Sequence, residues 1–424
     1  MTRTLSQIAS LLIGIGIVQL GNGLLTTVVS LRMTYEGFST EMAGFIMSCY
    51  FAGQMLASRT IPNVIARVGP VRAFAAAAAI LAAAALSHVL LVTALAWIIL
   101  RTATGYGMAG VNMVAESWLN TRATKENRGQ ILAFYMITVY LMTGLGQFLL
   151  NLDSPSSYEL FALATVLLTL GLVPVALTNS PAPSFGDRTT LKLRELYRLS
   201  PLGLAGVLAT GFVNSAFYGL GPIFAHNIGL DDFDVSVFMG ATIISGLAMQ
   251  WPVGKLSDKY DRRVVLMAVF FAVAVACVAM VTVLHVHPAW TLAVACVYGG
   301  LSFTTYSLSV AHACDFLEPK DMAKAASSFV FTYCIGAVLG PVVAAWFMSA
   351  TGPQGLFIYA ALINAALGVF AIYRMFQRPT VPKDQRAPYV AMPQNTPVVQ
   401  MMAPRLPSQD DKPIYREGHP LVSD

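Results

Sequence analysis

Two charged side chains share one face of a predicted helix inside an otherwise apolar stretch of the chain. At about 100° per residue, Arg101 and Glu116 fall within about 60° of each other, and Asn112 lies on the same face. At about 1.5 Å per residue they are about 22 Å apart along the helix axis, so they cannot pair directly. A carboxyl group that is alternately buried and hydrated takes up and releases a proton. Arg101, Asn112 and Glu116 are therefore candidates for ligand contact and proton coupling.

A structural interpretation of the same charges stays open. Glu116 stands near the end of its apolar stretch, where a salt bridge to Arg59, Arg122 or Arg128 would also account for it. Arg101 would then support helix pairing instead of contacting a ligand.

Neutral polar side chains recur on single faces of several other apolar stretches. Taken singly, each is explained by a hydrogen bond between two helices. Taken together, they predict a polar pathway lined by Gln19, Asn22, Tyr50, Gln54, Tyr140, Asn214, Tyr218, Ser302 and Thr305.

One short stretch concentrates charge. Residues 254–263, GKLSDKYDRR, hold six charged side chains, although only 11% of the chain is charged.

The elements that position these residues are membrane helices. The chain has 424 residues, of which 56% are hydrophobic, more than a soluble fold of this length hides. Helices are expected because lipid offers no partner to an open sheet edge. The sequence predicts an all-α integral membrane protein with twelve transmembrane helices, near 6–30, 40–66, 71–90, 93–118, 128–151, 158–178, 201–225, 234–254, 263–284, 289–313, 323–349 and 355–376.

The Lys and Arg residues predict the orientation. They cluster in alternate connections, and the intervening connections are mostly acidic. Since basic connections face the cytoplasm, both termini and the 254–263 stretch are expected there. The basic connections hold Arg67 and Arg72; Arg122, Lys125 and Arg128; Arg188, Lys192, Arg194 and Arg198; and Lys320 and Lys324.

An internal repeat predicts two halves. A shift of 192 residues brings Asn22 onto Asn214 and Gly144 onto Gly336. We expect six-helix halves at 1–180 and 201–376, a cytoplasmic linker at 181–200, and a disordered cytoplasmic tail at 377–424 rich in Pro and polar residues. Parallel halves of this kind place a binding site between them near the midplane.

GKLSDKYDRR resembles the loop motif G-x-L-[SA]-D-[RK]-x-[GD]-R-[RK] of the major facilitator superfamily, and the resemblance extends over residues 1–376. AESWLN at 115–120 and RGQILAFYM at 128–136 resemble the YcaD-like bacterial branch. The resemblance implies the fold of that superfamily and the bacterial inner membrane.

The resemblance to the superfamily loop motif also implies a conformational latch at Gly254, Asp258, Arg262 and Arg263. Asp258 would face a helix N-terminus of the other half in the outward-facing state, while the arginines bind carboxylates or lipid phosphates. The first half departs from the motif, with Pro62 and Ala66 at the corresponding positions.

The predicted function is secondary active transport of a small solute by alternating access, coupled to protons. Alternatives are a facilitative uniporter or exchanger, a drug/proton antiporter, and a membrane sensor or scaffold. HExxH, GxSxG and GxxxxGK[ST] are absent from the sequence, so an enzyme is not expected. The expected partners are a small-molecule solute, the lipid bilayer and protons, without nucleic acid, metal or cofactor, and the protein is expected to be a monomer.

A glycine pattern at 105–110, GYGMAG, has the spacing of a dinucleotide fingerprint. No strand precedes it, which argues against nucleotide binding. The glycines predict close packing between membrane helices instead.

Overall fold

Helices dominate the computed structural model, which describes residues 2–124, 127–177, 191–283, 288–377, 380–382, 386 and 389–392. A 3₁₀ turn at Phe148–Leu152 continues the fifth helix. The α-helices in the described residues are α1 Thr2–Tyr35, α2 Thr40–Val68, α3 Pro70–Leu90, α4 Ala94–Arg122, α5 Arg128–Gln147, α6 Glu159–Leu170, α7 Leu172–Ala176, α8 Leu193–Leu199, α9 Pro201–Asn227, α10 Asp232–Lys259, α11 Arg262–Val283, α12 Pro288–Ser302, α13 Thr305–Cys314, α14 Pro319–Thr351 and α15 Gly355–Gln377.

The all-helical membrane fold predicted from the sequence is confirmed. Within the described residues, ten helices or closely joined helix pairs are long and apolar enough to cross a membrane. The long helices α2 and α4 are not among the ten, although each has 29 residues. Both carry charged residues along their length, which lowers their hydropathy. The count of twelve spans therefore stays a prediction.

Local sequence explains where the helices begin and turn. The side chains of Ser39, Thr93 and Asp231 accept hydrogen bonds from the backbone of the first turns of α2, α4 and α10. At the end of α2, Gly69 has a φ of 84°, which allows the chain to reverse into α3.

Four long helices form the main contact between the N-terminal and C-terminal parts of the chain. α2 packs against α14, and α5 packs against α10. Glycines permit the close approach: a Cβ on Gly44 would lie 2.6 Å from the carbonyl oxygen of Pro341, and one on Gly240 would lie 2.9 Å from Phe148. The glycines at 105–110, for which helix packing was predicted, also lie close to a neighbouring helix: a Cβ on Gly107 would lie 2.7 Å from the carbonyl oxygen of Ala77.

Hydrogen bonds join these two parts at one end of the bundle. We call it the Gly37 end, because it holds the turns at 36–39 and 228–231. There Ser30 Oγ donates to the Gly219 carbonyl at 2.7 Å, and Asn151 Nδ2 donates to Ser236 Oγ at 2.9 Å. The opposite end, which holds Tyr260 and Asp261, is called the Tyr260 end.

The 254–263 stretch is mostly helical, so the expectation of a loop throughout it is wrong. α10 continues to Lys259 and α11 begins at Arg262, which leaves Tyr260 and Asp261 as the connection. Hydropathy marks the apolar core of a span, whereas hydrogen bonding continues into the polar end of the helix. The Tyr260 N–H still bonds the Leu256 carbonyl at 2.9 Å.

Part of the predicted linker and tail lies outside the described residues. The described linker residues include α8, and Leu191 is hydrogen-bonded to Lys324 and Ser328 of α14. In the tail, predicted to be disordered, Arg386 nevertheless donates to the Tyr260 carbonyl, and residues 389–392 are placed against α10 and α13. The predicted division into halves, linker and tail stays a prediction.

Candidate functional site

A cavity of about 110 Å³ lies between the N-terminal and C-terminal helices. Helices α1, α2, α4 and α5 supply most of its wall, and α9, α10 and α14 close it from the other side. The predicted site residues that line it are Arg101, Asn112, Gln19, Asn22, Tyr50, Tyr140 and Tyr218.

Arg101 is the charged feature of this cavity. Its side chain is only 1% exposed, and its guanidinium carbon lies 4.7 Å from the centre of the Tyr50 ring. A Cβ on Gly105 would lie 1.8 Å from the Tyr50 carbonyl oxygen, so α2 and α4 are in backbone contact at this level. This contact is what brings the Tyr50 ring beneath the guanidinium.

The guanidinium is incompletely paired. Arg101 Nε and Nη1 are buried and have no hydrogen-bond partner in the described part of the chain. Among the described residues that line the cavity, Arg101 is also the one Lys, Arg, Asp or Glu side chain. The cavity therefore presents a single positive charge to whatever enters it.

Amide side chains hold the polar wall in place. Gln19 Nε2 donates to Asn112 Oδ1 at 3.3 Å across α1 and α4. Gln147 donates to the Gly23 carbonyl at 3.1 Å and accepts a hydrogen bond from Thr27.

Several lining residues were not among the sequence predictions. The polar ones are Thr27, Tyr135, Thr143, Gln147 and Tyr333. A signal for Gln147 was present, because it follows Tyr140 by seven residues and so shares its helix face.

Glu116 is placed behind the cavity wall. Its carboxylate accepts a hydrogen bond of 3.0 Å from the hydroxyl of Tyr135, and Tyr135 itself lines the cavity. Arg59, one of the salt-bridge partners considered for it, lies over the Phe331 ring at 4.8 Å. Glu116 is thus connected to the cavity through one phenol.

Four predicted cavity residues do not line the cavity. Ser302 Oγ donates to Asn214 Oδ1 at 2.7 Å, and the Thr305 and Thr210 hydroxyls are 3.0 Å apart. These bonds join α9 to α12 and α13, which is the helix-pairing role left open in the sequence. Gln54 is buried in α2, 2% exposed, outside the lining.

A second charged cluster lies at the Tyr260 end. Arg262 is 1% exposed; its Nη1 lies 2.6 Å from Asp315 Oδ1 and its Nη2 lies 3.3 Å from Asp258 Oδ1. Arg263 pairs with Asp261 at 2.8 Å. Partial burial acts to raise the pKa of Asp261, but the hydrogen bonds from Arg263 outweigh it and the pKa is lowered. In this structure Arg262 binds carboxylates of its own part of the chain.

The Asp258 carboxylate has a further partner in the tail. The backbone N–H of Tyr389 donates to Asp258 Oδ1 at 2.9 Å. Gly254 lies against Tyr389, since a Cβ on Gly254 would be 2.5 Å from Tyr389 Cδ1. The described contacts of Asp258 thus come from Arg262 and the tail.

Comparison with known proteins shows which family the sequence matches. A model described as Major Facilitator Superfamily matches residues 11–334. A protein of Escherichia fergusonii named "Uncharacterized MFS-type transporter YcaD" is 29% identical over 356 residues, which covers 84% of this chain and 92% of the relative. The protein of the same name from Escherichia coli strain UMN026 is 30% identical over 357 residues, with the same coverage.

Solved structures share the fold. A crystal structure of the nucleoside transporter NupG has a TM-score of 0.71 at 15% identity and covers 87% of this chain and 99% of its own. A bacterial homologue of the human lysosomal transporter Spinster, inward-facing and occupied, has a TM-score of 0.72 at 13% identity, with coverages of 89% and 97%. At these identities the similarity concerns the fold.

Proposed function

The chain belongs to the Major Facilitator Superfamily, and on that premise we propose that it is a secondary active transporter of a small solute, working by alternating access and coupled to protons. The observation that carries the proposal is the central cavity, which is lined from both parts of the chain, and hydrogen bonds join these parts at the Gly37 end. A site between two halves is the arrangement that rocking of one half against the other exposes to alternate sides.

The orientation of the chain in the membrane determines whether this conformation is inward-facing or outward-facing. The Lys and Arg pattern assigns the Tyr260 end to the cytoplasm and the Gly37 end to the outside. The hydrogen bonds at the Gly37 end would then lie on the outer side, which supports an inward-facing form in the inner membrane with both termini cytoplasmic. The latch between Asp258 and the other half would form in the opposite state.

Proton coupling is assigned to Glu116. The carboxylate reaches the cavity through the Tyr135 hydroxyl, 3.0 Å away. Protonation of Glu116 removes the charge that this hydroxyl faces, and so changes the hydrogen bonding of a residue in the cavity wall. The sequence has no ATP-binding motif, so an ion gradient is the energy source available to it.

Transport is tested in inverted and right-side-out membrane vesicles that contain the protein. The vesicles are incubated with a bacterial metabolite extract, with and without an imposed pH gradient, and their contents are measured by mass spectrometry. We expect at least one solute to accumulate only when the gradient is present. Glu116→Gln should abolish accumulation but retain exchange, because exchange needs only binding and rocking.

Two results would contradict this assignment in different ways. Solute entry that ignores the pH gradient and never exceeds equilibrium would identify a facilitative uniporter or exchanger. No difference from vesicles without the protein would favour a sensor or scaffold.

A further inference from the structure

We propose that the transported solute is a small organic anion whose carboxylate or phosphate oxygens bind Arg101, with a flat apolar body held among the tyrosines of the cavity. The inference rests on the proposed transport function and specifies its substrate class. It starts from Arg101, which is 1% exposed, lines the cavity and has Nε and Nη1 without hydrogen-bond partners in the described residues.

Energetics favour an anionic guest. A buried charge without a counter-ion is strongly unfavourable, and an arginine–tyrosine contact recovers only a small part of that penalty. No Asp or Glu is among the described residues that line the cavity. A cationic solute would add a second positive charge. An anion supplies the counter-charge and accepts hydrogen bonds from the unpaired N–H groups of Arg101.

The rest of the wall suits a flat body. Tyr50, Tyr140, Tyr218 and Tyr333 line the cavity. The Tyr218 ring stacks on Phe303 with centroids 5.3 Å apart, and this contact holds the orientation of the Tyr218 ring. Ring faces and edges favour planar partners. The volume of about 110 Å³ is below the roughly 300–1,000 Å³ of pockets for drug-sized ligands, which favours a small solute.

The test uses purified full-length protein and probes matched in shape. Benzoate and phenyl phosphate are compared with uncharged benzamide and cationic benzylamine, and binding is measured as a ligand-dependent rise of Tm. We expect at least one of the two anions to bind, and neither of the other probes. Arg101→Gln should weaken anion binding at least about tenfold, and Arg101→Lys should retain part of it.

Arg59→Gln is the control, since Arg59 is a cation of the same part of the chain that does not line the cavity. Benzoate and phenyl phosphate separate a carboxylate from a phosphate preference. Failure of both anions to bind, or equal binding of benzamide that survives Arg101→Gln, overturns the proposal. Vesicles that accumulate a neutral or cationic solute would overturn the anionic class while the transporter assignment stands.

A different observation carries a second inference: the described tail residues Tyr389–Met392 act as a tethered gate at the Tyr260 end. The Tyr389 N–H bonds Asp258, the Tyr389 hydroxyl donates to Gln250 Oε1, and the Met392 N–H donates to Ser307 Oγ at 2.9 Å. Met392 is 1% exposed. These are contacts of a docked segment and not of a free tail.

The position of Tyr389 links the segment to the transport path. Burial raises the pKa of the Tyr389 phenol, which therefore stays protonated and able to donate to Gln250. Asp258 is also the carboxylate expected to face the other half when this end closes, so tail docking and closure compete for it.

A cysteine at Val390 reports docking, and exchange of a solute identified in the vesicle assay reports gating. Gly254→Ala places a methyl group 2.5 Å from Tyr389 Cδ1, and Met392→Asp buries a charge, so either should release the segment. We expect faster thiol labelling and at least about twofold faster exchange. Exposed Tyr373→Ala is the control. Unchanged labelling refutes docking; faster labelling with unchanged exchange refutes gating.

Discussion

Loss of the buried pair Arg262–Asp315 should destabilise the protein more than loss of the less buried pair Arg263–Asp261. At the 2.6 Å separation of Nη1 and Oδ1, Coulomb attraction at an effective dielectric constant of about 20 is about 6 kcal/mol. Desolvation of both groups offsets part of it. Removing one partner of a buried pair costs about 3–5 kcal/mol, and we expect that loss of unfolding free energy for Arg262→Gln.

The neighbouring arginine provides a matched control. The Arg263–Asp261 pair is more exposed, with 11% and 25% of the two side chains accessible, so Arg263→Gln should cost about 1 kcal/mol or less. Unfolding is followed by denaturant titration in mixed micelles, for the single variants and for Arg262→Gln/Asp315→Asn. The double variant should lose less than the sum of the singles by about 2 kcal/mol. Equal losses for Arg262→Gln and Arg263→Gln, or strict additivity, would refute the reasoning.

Three further predictions concern topology, packing and the latch. A cysteine at Glu41 should react with a membrane-impermeant thiol reagent in intact cells and one at Arg194 should not; the reverse pattern would invert the assigned orientation. Gly105→Ala should cost about 3 kcal/mol of stability, because its Cβ would meet the Tyr50 carbonyl at 1.8 Å, whereas Gly129→Ala meets no atom within 4 Å and should be nearly neutral in the same titration. Asp258→Asn should preserve folding but increase thiol labelling at the cytoplasmic ends of α4 and α13, since it weakens the latch expected in the outward-facing state; unchanged labelling would leave this carboxylate with only its contacts to Arg262 and Tyr389.

The sequence predicted the helices better than their ends. The apolar segment at 234–254 belongs to a helix that extends to Lys259, because hydropathy reports the membrane core while the helix continues through polar residues. The N-terminal side of the cavity was largely predictable, since Arg101, Asn112 and Gln19 are polar residues on single faces of otherwise apolar helices. Ser302 and Thr305 were misplaced because each finds a hydroxyl or amide partner on α9, and a face pattern does not reveal a partner on another helix.

The two parts of the chain have different chemistry, although the sequence predicts a repeat. The N-terminal part supplies Arg101, the amides of the cavity wall and Glu116, whereas the C-terminal part contributes Tyr218 and Tyr333 to the cavity and holds Asp258, Arg262 and Asp315 at its Tyr260 end. The first-half counterpart of the charged stretch has Pro62 and Ala66 where the second half has Gly254 and Asp258. If solute binding and proton exchange reside in one half and conformational control in the other, substitutions in α4 should change affinity and pH dependence. Substitutions around Asp258 should change rates and state populations while solute affinity within a given state is preserved.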